Sequence, residues 1–344
     1  MSEEKKWTLK SIALHLGVSN ATVSNAFNRP DQLSKDKRQQ ILKACEELGY
    51  FGPNKAAQSL RKGTSNIVAL VLPDSVEYMV SDPVASSFMR GVAGIIEERG
   101  NNILLFSGTQ DNLNNVVDFV DGFICYGRPR NLNLFAHLSS VTKPVVTVDF
   151  DLPNRASVNI DNTQAAYDAA SSALTQPQAQ VAILGLRLLD TNVVCRVYDE
   201  NLPEDLGTSI AHQRLAGYQR ALREKHLTFL PELLWSIPES SEKYATIAAQ
   251  EALSLTPRPN VLLCMSDLIA LAAMRVAKSK GIRVPEELKI VGFDGIQEAL
   301  LHSPSITTIQ QNSVEKGKTA ALLFLERSTQ KVQLGYKLIQ GQSN

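Results

Sequence analysis

Leu9-Lys-Ser-Ile-Ala-Leu-His-Leu-Gly-Val-Ser-Asn-Ala-Thr-Val-Ser-Asn-Ala-Phe-Asn28 is the stretch on which the reading of this chain turns. Leu9, Ile12, Ala13 and Leu16 recur at i, i+3, i+4 and i+7, the stripe of a short amphipathic helix. Gly17 ends that helix, and Val18 places an apolar contact in the turn. Ser19 then suits an N-cap, and Val23, Ala26 and Phe27 give a second helix its apolar side. Two short helices joined by a few residues containing Gly match the DNA-reading helix-turn-helix. A third helix is predicted after Ser34, through Ile41, Leu42, Cys45 and Leu48, closing at Gly49. The three stripes would share one small core. Away from that core the second helix carries Asn20, Ala21, Ser24, Asn25 and Asn28, short groups that suit base edges and phosphates in a major groove. Asn25 can pair with adenine N6 and N7, while Ser19 and Thr22 can bind phosphate beside a helix N-terminus. The same pattern also fits the solvent face of a three-helix module that binds protein, so both readings stand here.

Charge leans toward DNA. The 344 residues carry 35 Lys+Arg and 35 Asp+Glu, a net charge of zero. Residues 1–63 nevertheless hold eleven basic and six acidic side chains, leaving +5 there and −5 on the rest. A basic head on an acidic body suggests that only the head meets a polyanion. An apolar fraction of 44% with 20% charged residues is ordinary globular composition, and the length suggests two or three domains. Apolar runs such as Ile67–Leu72 and Leu268–Met274 fall far short of the roughly 20 residues of a membrane span. No apolar stretch follows the charged N-terminus as in a secretory signal. Cys45, Cys125, Cys195 and Cys264 share no metal-like or disulfide-like spacing. A soluble cytoplasmic protein is expected.

Beyond Gly63 strand-like and helix-like stretches alternate. Ile67–Leu72, Ile103–Phe106, Gly122–Tyr126 and Val145–Val148 read as buried parallel strands, with a helix through Phe88, Met89, Val92, Ile95 and Ile96. The pattern restarts at Val181–Leu184, with helices at Gln213–Lys225, Lys243–Leu253 and Leu268–Ser279 and strands at Val261–Cys264 and Ile290–Phe293. Two such sets argue for two parallel-sheet lobes. There is no Gly-rich phosphate loop, so a nucleotide-dependent enzyme lacks its signature. His15, His137, His212, His226 and His302 show no spacing of a metal site or catalytic triad, and Ser171 and Ser172 sit in no nucleophile motif. The acidic, Pro-containing run 199–205 reads as a solvated loop. Neither an enzyme nor a cofactor is expected.

The opening stretch, together with Ser34 to Leu60 through Leu48-Gly-Tyr50 and Pro53-Asn-Lys-Ala-Ala-Gln-Ser-Leu60, closely resembles the start of LacI/GalR-family transcriptional regulators. The body resembles that family's periplasmic-binding-protein-like core over nearly its whole length. The matching landmarks run from Val68-Ala-Leu-Val-Leu-Pro-Asp74 through Met89-Arg-Gly91, Asn159-Ile-Asp-Asn162, Arg214-Leu-Ala-Gly-Tyr218 and Cys264-Met-Ser-Asp267 to Val291-Gly-Phe-Asp294 and Ile306-Thr-Thr-Ile-Gln310. The resemblance implies an all-α helix-turn-helix head followed by an α/β body of two lobes. It divides the chain into residues 1–51 for DNA binding, 52–63 for a hinge helix and linker, and 64–344 for effector binding and dimerisation.

The resemblance extends the roles read from the head and adds others. The DNA contacts would be Thr8, Ser19, Asn20, Ala21, Thr22, Ser24, Asn25 and Asn28 in the head, with Asn54, Ala56, Ala57 and Leu60 in the hinge. Leu60 matches a leucine that wedges into the minor groove, a move that can kink a base step. Eight helical residues are too few to be stable alone, so the hinge would order on DNA. A small effector would sit between the lobes against Asp82, Val84, Ala85, Asp161, Asn162, Arg214 and Asp267. Arg214 can fork onto two ligand oxygens, and Asp267 can accept from sugar hydroxyls or a base edge. Asp294 is expected to fix a strand-end turn rather than touch ligand.

Four departures from the family pattern stand out. Phe51 and Gly52 separate Tyr50 from Pro53 where most relatives have one residue, which would shift the hinge. Asn25 stands where many relatives carry Arg, which predicts adenine rather than guanine opposite it. Val84 and Ala85 stand where relatives often present aromatic rings, which argues against a ring-stacked ligand. Gly341 replaces a frequent Arg near the end. The expectation is therefore an allosteric, effector-responsive repressor, a homodimer on double-stranded operator DNA that binds a sugar- or nucleoside-like molecule. The competing reading is a cytosolic sugar-type binding protein whose helical head contacts protein, and sequence-specific DNA binding at physiological salt separates the two.

Overall fold

The computed structural model describes residues 7–52, 64–198 and 209–344. The chain divides into two compact units, Met1–Asn66 and Ile67–Asn344. The expected hinge helix, with Asn54, Ala56, Ala57 and Leu60, lies outside the described residues, as does the loop at 199–205.

In the first unit, α1 (Leu9–His15), α2 (Asn20–Asn28) and α3 (Lys35–Glu47) surround a core of Ile12, Ala13, Val23, Ala26, Ile41, Cys45 and Tyr50. The other stripe residues, Leu9, Leu16, Phe27, Leu42 and Leu48, pack half-buried around it. Each helix is opened by a hydroxyl. Thr8 and Ser11 exchange side-chain and backbone hydrogen bonds in a capping box, Ser19 accepts from the Thr22 N–H, and Ser34 accepts from the Lys37 N–H. Gly17, at φ +64°, makes the left-handed turn between α1 and α2. Arg38 Nε donates to the Ala26 carbonyl at 3.0 Å and so ties α3 to the end of α2.

The second unit begins with β1 (Ile67–Val71), α4 (Val76–Ser81), α5 (Pro83–Glu98), β2 (Asn102–Phe106), β3 (Gly122–Tyr126), α6 (Leu132–Ser140), β4 (Val145–Val148) and β5 (Ala156–Asn159). A second lobe follows, with α7 (Asn162–Ala173), β6 (Val181–Gly185), β7 (Cys195–Arg196), α8 (Ile210–Glu224), β8 (Leu234–Ser236), α9 (Glu242–Ala252), β9 (Val261–Cys264), α10 (Asp267–Ser279), β10 (Lys289–Val291), α11 (Gln297–Leu301) and β11 (Thr308–Gln311). The chain then returns, adding α12 (Ser313–Leu325) and β12 (Lys331–Gln333) to the first lobe before β13 (Tyr336–Ile339) pairs with β11. The first sheet has the order β2-β1-β3-β4-β5-β12 and is parallel throughout. The second has the order β10-β9-β6-β8-β7, parallel except for the short edge strand β7.

Alternating strands and helices led to two parallel lobes, and the structure has them. It differs in that neither lobe is one continuous stretch, and in the antiparallel β7. The helix pairs that close the lobes rest on glycine. A Cβ at Gly317 of α12 would lie 2.2 Å from the Phe88 carbonyl oxygen of α5, and one at Gly217 of α8 would lie 2.2 Å from the Thr163 carbonyl oxygen of α7. The facing side of α7 is Ala165, Ala166, Ala169, Ala170 and Ala173, all buried, so the backbones approach closely. Gly341 has a similar cause. A Cβ there would meet the Ser305 carbonyl oxygen at 2.5 Å, which leaves no room for the arginine of many relatives.

Candidate functional site

In the head, burial of Val23 and Ala26 turns the opposite side of α2 outward. Asn20, Ala21 and Asn28 are exposed, and Thr22, Ser24 and Asn25 half-exposed. Asn28 Nδ2 donates to the Ser24 carbonyl at 3.1 Å, folding that amide onto its own helix. Ser19 Oγ lies 2.8 Å from Thr22 Oγ1, so the two residues expected at phosphate also brace the start of α2. Thr8, exposed, does the same for α1. Lys10, Arg29, Lys35, Lys37 and Lys43 are exposed on the same unit. An outward polar helix start on a unit that exposes basic side chains has the chemistry that phosphates and base edges call for.

In the body, a cavity of about 250 Å³ lies between the lobes. Its wall is made of residues that follow the carboxyl ends of strands, where open α/β sheets bind ligands. From the first lobe come Asp74 after β1, Gly127 and Arg128 after β3, and Asp149 after β4. From the second come Leu186 and Arg187 after β6, Glu239 and Ser240 after β8, and Ser266 after β9. Tyr78, Asp82, Tyr126, Arg130, Arg214, Asp294 and Gln311 also line it.

The floor is a buried polar chain joining the lobes. Arg214 Nε donates to Asn162 Oδ1 at 3.1 Å, its NH1 to the Met265 carbonyl, and its guanidinium lies 3.4 Å from Asp294 and 3.5 Å above the Phe293 ring. Gln311 Nε2 donates to Asp294 Oδ1 at 2.7 Å, and Gln311 Oε1 accepts from Lys316 Nζ at 2.7 Å. Lys316 Nζ reaches Asp149 at 2.6 Å. Gln311 thus couples a second-lobe carboxylate to a first-lobe ammonium. Burial, with Asp82 nearby, pushes the Asp294 carboxyl up to about 6 although Arg214 pulls the other way. Burial also raises Asp82, whose Oδ1 caps α5 by accepting from the Ala85 N–H at 2.8 Å.

The rim is a ring of four charges. Arg130 lies 3.2 Å from Asp74 and 3.1 Å from Asp190, while Arg187 lies 3.8 Å from each of the same two carboxylates. The Arg130–Asp190 and Arg187–Asp74 pairs cross from one lobe to the other. Tyr78 adds a further crossing, its hydroxyl accepting from the Ser240 N–H at 2.8 Å.

The structure therefore brings together part of the expected set. Arg214, Asp82 and Val84 line the cavity. Ala85 does not: it is fully buried in the first-lobe core. Asp161 caps α7 by accepting from the Gln164 N–H and stays outside, and Asn162 serves the wall indirectly by holding Arg214. Asp267 is the larger correction. It is fully buried behind the wall, accepting from the Ile296 N–H at 2.9 Å and the Thr308 hydroxyl at 2.6 Å. Burial and Asp294 hold its carboxyl well above the usual range. Asp294, expected to serve only a turn, is itself in the wall. The wall nevertheless contains the rings of Tyr78 and Tyr126, and Tyr126 stacks on Phe88 at 4.5 Å. Among the described residues no cluster of His, Cys, Asp and Glu could hold a metal, and no helix is long and apolar enough to cross a membrane.

A three-helix head with an outward polar reading helix, followed by a two-lobed body of periplasmic-binding-protein-like type, defines a helix-turn-helix DNA-binding transcriptional regulator. Residues 8–54 match the model of bacterial regulatory proteins of the lacI family, and residues 190–343 match that of the periplasmic binding protein-like domain. The HTH-type transcriptional regulator Rv3575c of Mycobacterium tuberculosis is 35% identical, covering 94% of this chain and 91% of that protein. The HTH-type transcriptional repressor CytR of Escherichia coli is 28% identical over the same shares, 94% and 91%. The lac repressor dimer bound to operator and an anti-inducer shares the fold at TM-score 0.70 and 20% identity, covering 98% and 99% of the two chains. The chain belongs to the lacI family, whose members are transcriptional regulators.

Proposed function

We propose that this chain is a repressor that acts in the cytoplasm as a homodimer, and that a small polar molecule bound between its lobes changes its affinity for operator DNA. The observation that carries the reading is the interlobe cavity of about 250 Å³, walled from both lobes, in the same chain as a helix-turn-helix head. A ligand touching both lobes binds one lobe arrangement better than another. It shifts the operator equilibrium only by that difference, typically about 1–3 kcal/mol or roughly 5–150-fold. Residues 1–51 read DNA, 52–63 link, and 64–344 bind effector and dimerise. Ser19, Thr22 and the outward residues of α2 contact the operator, and Asn25 reads adenine.

Selection of bound duplexes from a random pool at about 150 mM salt tests this, since non-specific affinity fades there. A two-fold-symmetric motif, its half-sites about one helical turn apart, is the expected result. Enrichment of no motif, with or without a panel of sugars and nucleosides, would favour a binding protein whose head contacts protein.

A further inference from the structure

Whether an arginine in the cleft can meet a ligand depends on what it already holds. Arg214 is engaged with Asp294, Asn162, the Met265 carbonyl and the Phe293 ring. Arg187 and Arg130 share Asp74 and Asp190, and Arg187 also donates to the Pro238 carbonyl. Arg128 lies 4.4 Å from the centre of the Phe135 ring. Lys316, behind the wall, is held by Asp149 and Gln311.

The acids divide differently. Asp74, Asp149 and Asp294 each have a cation within 4 Å, whereas neither Asp82 nor Glu239 forms an ion pair among the described residues. These two stand on opposite lobes, and the Tyr78 ring belongs to the same wall as both. An ammonium is desolvated at lower cost beside carboxylates that hold no ion pair of their own. A phosphate or carboxylate placed there would meet acids, and Arg130, Arg187 and Arg214 are already paired with carboxylates.

Resting on the effector reading above, we propose that the molecule bound between the lobes carries a cationic nitrogen, selected by Asp82 from the first lobe and Glu239 from the second. Because the two carboxylates belong to different lobes, one ammonium between them also favours lobe closure. A neutral polyol forgoes that bridge, and a phosphorylated one is rejected.

The test uses the full chain and matched probes: glucose, glucosamine and glucose 6-phosphate, with adenosine, 5′-amino-5′-deoxyadenosine and adenosine monophosphate, by calorimetry. The amine-bearing member of a series should bind about ten-fold or more tighter than its neutral parent, as a desolvated charge pair allows. Asp82→Asn, which keeps a good helix cap, and Glu239→Gln should each bring the ratio of amine to neutral affinity back toward one. Tightest binding by a phosphorylated member, or a preference for amines that survives both substitutions, would overturn the charge assignment and leave an effector site standing. Binding by no member of either series would overturn both.

Discussion

The floor and the rim of the cleft each join the two lobes through charges, and they do so in opposite surroundings. On the floor the Arg214 and Lys316 side chains are 2% exposed, and their partners Asp294 and Asp149 are 8% exposed. On the rim Arg130 is 34% exposed and Asp190 is 89% exposed. Water and salt therefore compete at the Arg130–Asp190 pair and not on the floor, with Arg187 and Asp74, 18% and 16% exposed, in between. A buried charge is costly once its partner is removed, whereas an exposed pair contributes little. The floor fixes one arrangement of the crossing strands, and the rim adds an interlobe contact that can be given up at little cost.

Replacing Lys316 by Ala should give the largest effect. It leaves Asp149 buried without its cation and Gln311 without a donor, and should lower stability by about 3–5 kcal/mol in urea unfolding followed by circular dichroism. A loss no greater than at the rim would erase the contrast. Replacing the pair together, Lys316→Met with Asp149→Leu, removes both charges and should recover most of that loss. If the double variant is as unstable as the single one, the floor depends on its remaining polar links through Gln311.

The pH response should be intermediate in size. The Asp294 carboxyl is raised to about 6, above the roughly 3.9 of an unfolded aspartate, so the folded chain holds this proton more tightly. Its contribution to stability is complete below about pH 4 and is lost as the pH rises through 6. The urea midpoint should carry a downward component between these values, and Asp294→Asn should remove it. At the rim, Arg130→Ala or Asp190→Ala should change stability by less than about 1 kcal/mol. That small change should vanish near 1 M salt, where the screening length is about 3 Å.

The same contrast explains what the sequence could reveal. Apolar runs such as Gly122–Tyr126, Val145–Val148 and Val261–Cys264 mark their strands to the residue, because a strand buried on both faces has to be apolar. The strands β12 and β13, Lys331–Gln333 and Tyr336–Ile339, have no fully buried residue, so no apolar run marks them and the return of the chain to the first lobe stayed hidden. Much of the cavity wall lies one to three residues past legible strands, as Asp74, Arg128, Asp149 and Arg187 do. The fate of Asp267 was not legible. It turns inward because Gly292 leaves the space, and a Cβ at 292 would lie 2.2 Å from Asp267 Oδ1. Asp294 faces the cavity from a backbone at φ +122°, a conformation that strand periodicity does not predict.

The chain passes between the lobes three times, after β5, after β11 and after β12. On the ribosome this means that the first lobe cannot close when residue 159 emerges. Its sheet lacks β12 and its core lacks Ala320, Ala321 and Phe324 until more than 320 residues have been made. The second lobe waits longer still for β13 and for Ser343, whose hydroxyl donates to the Ile290 carbonyl. Vectorial synthesis thus favours a body that matures in a single late event, with the three-helix head alone free to fold while translation continues.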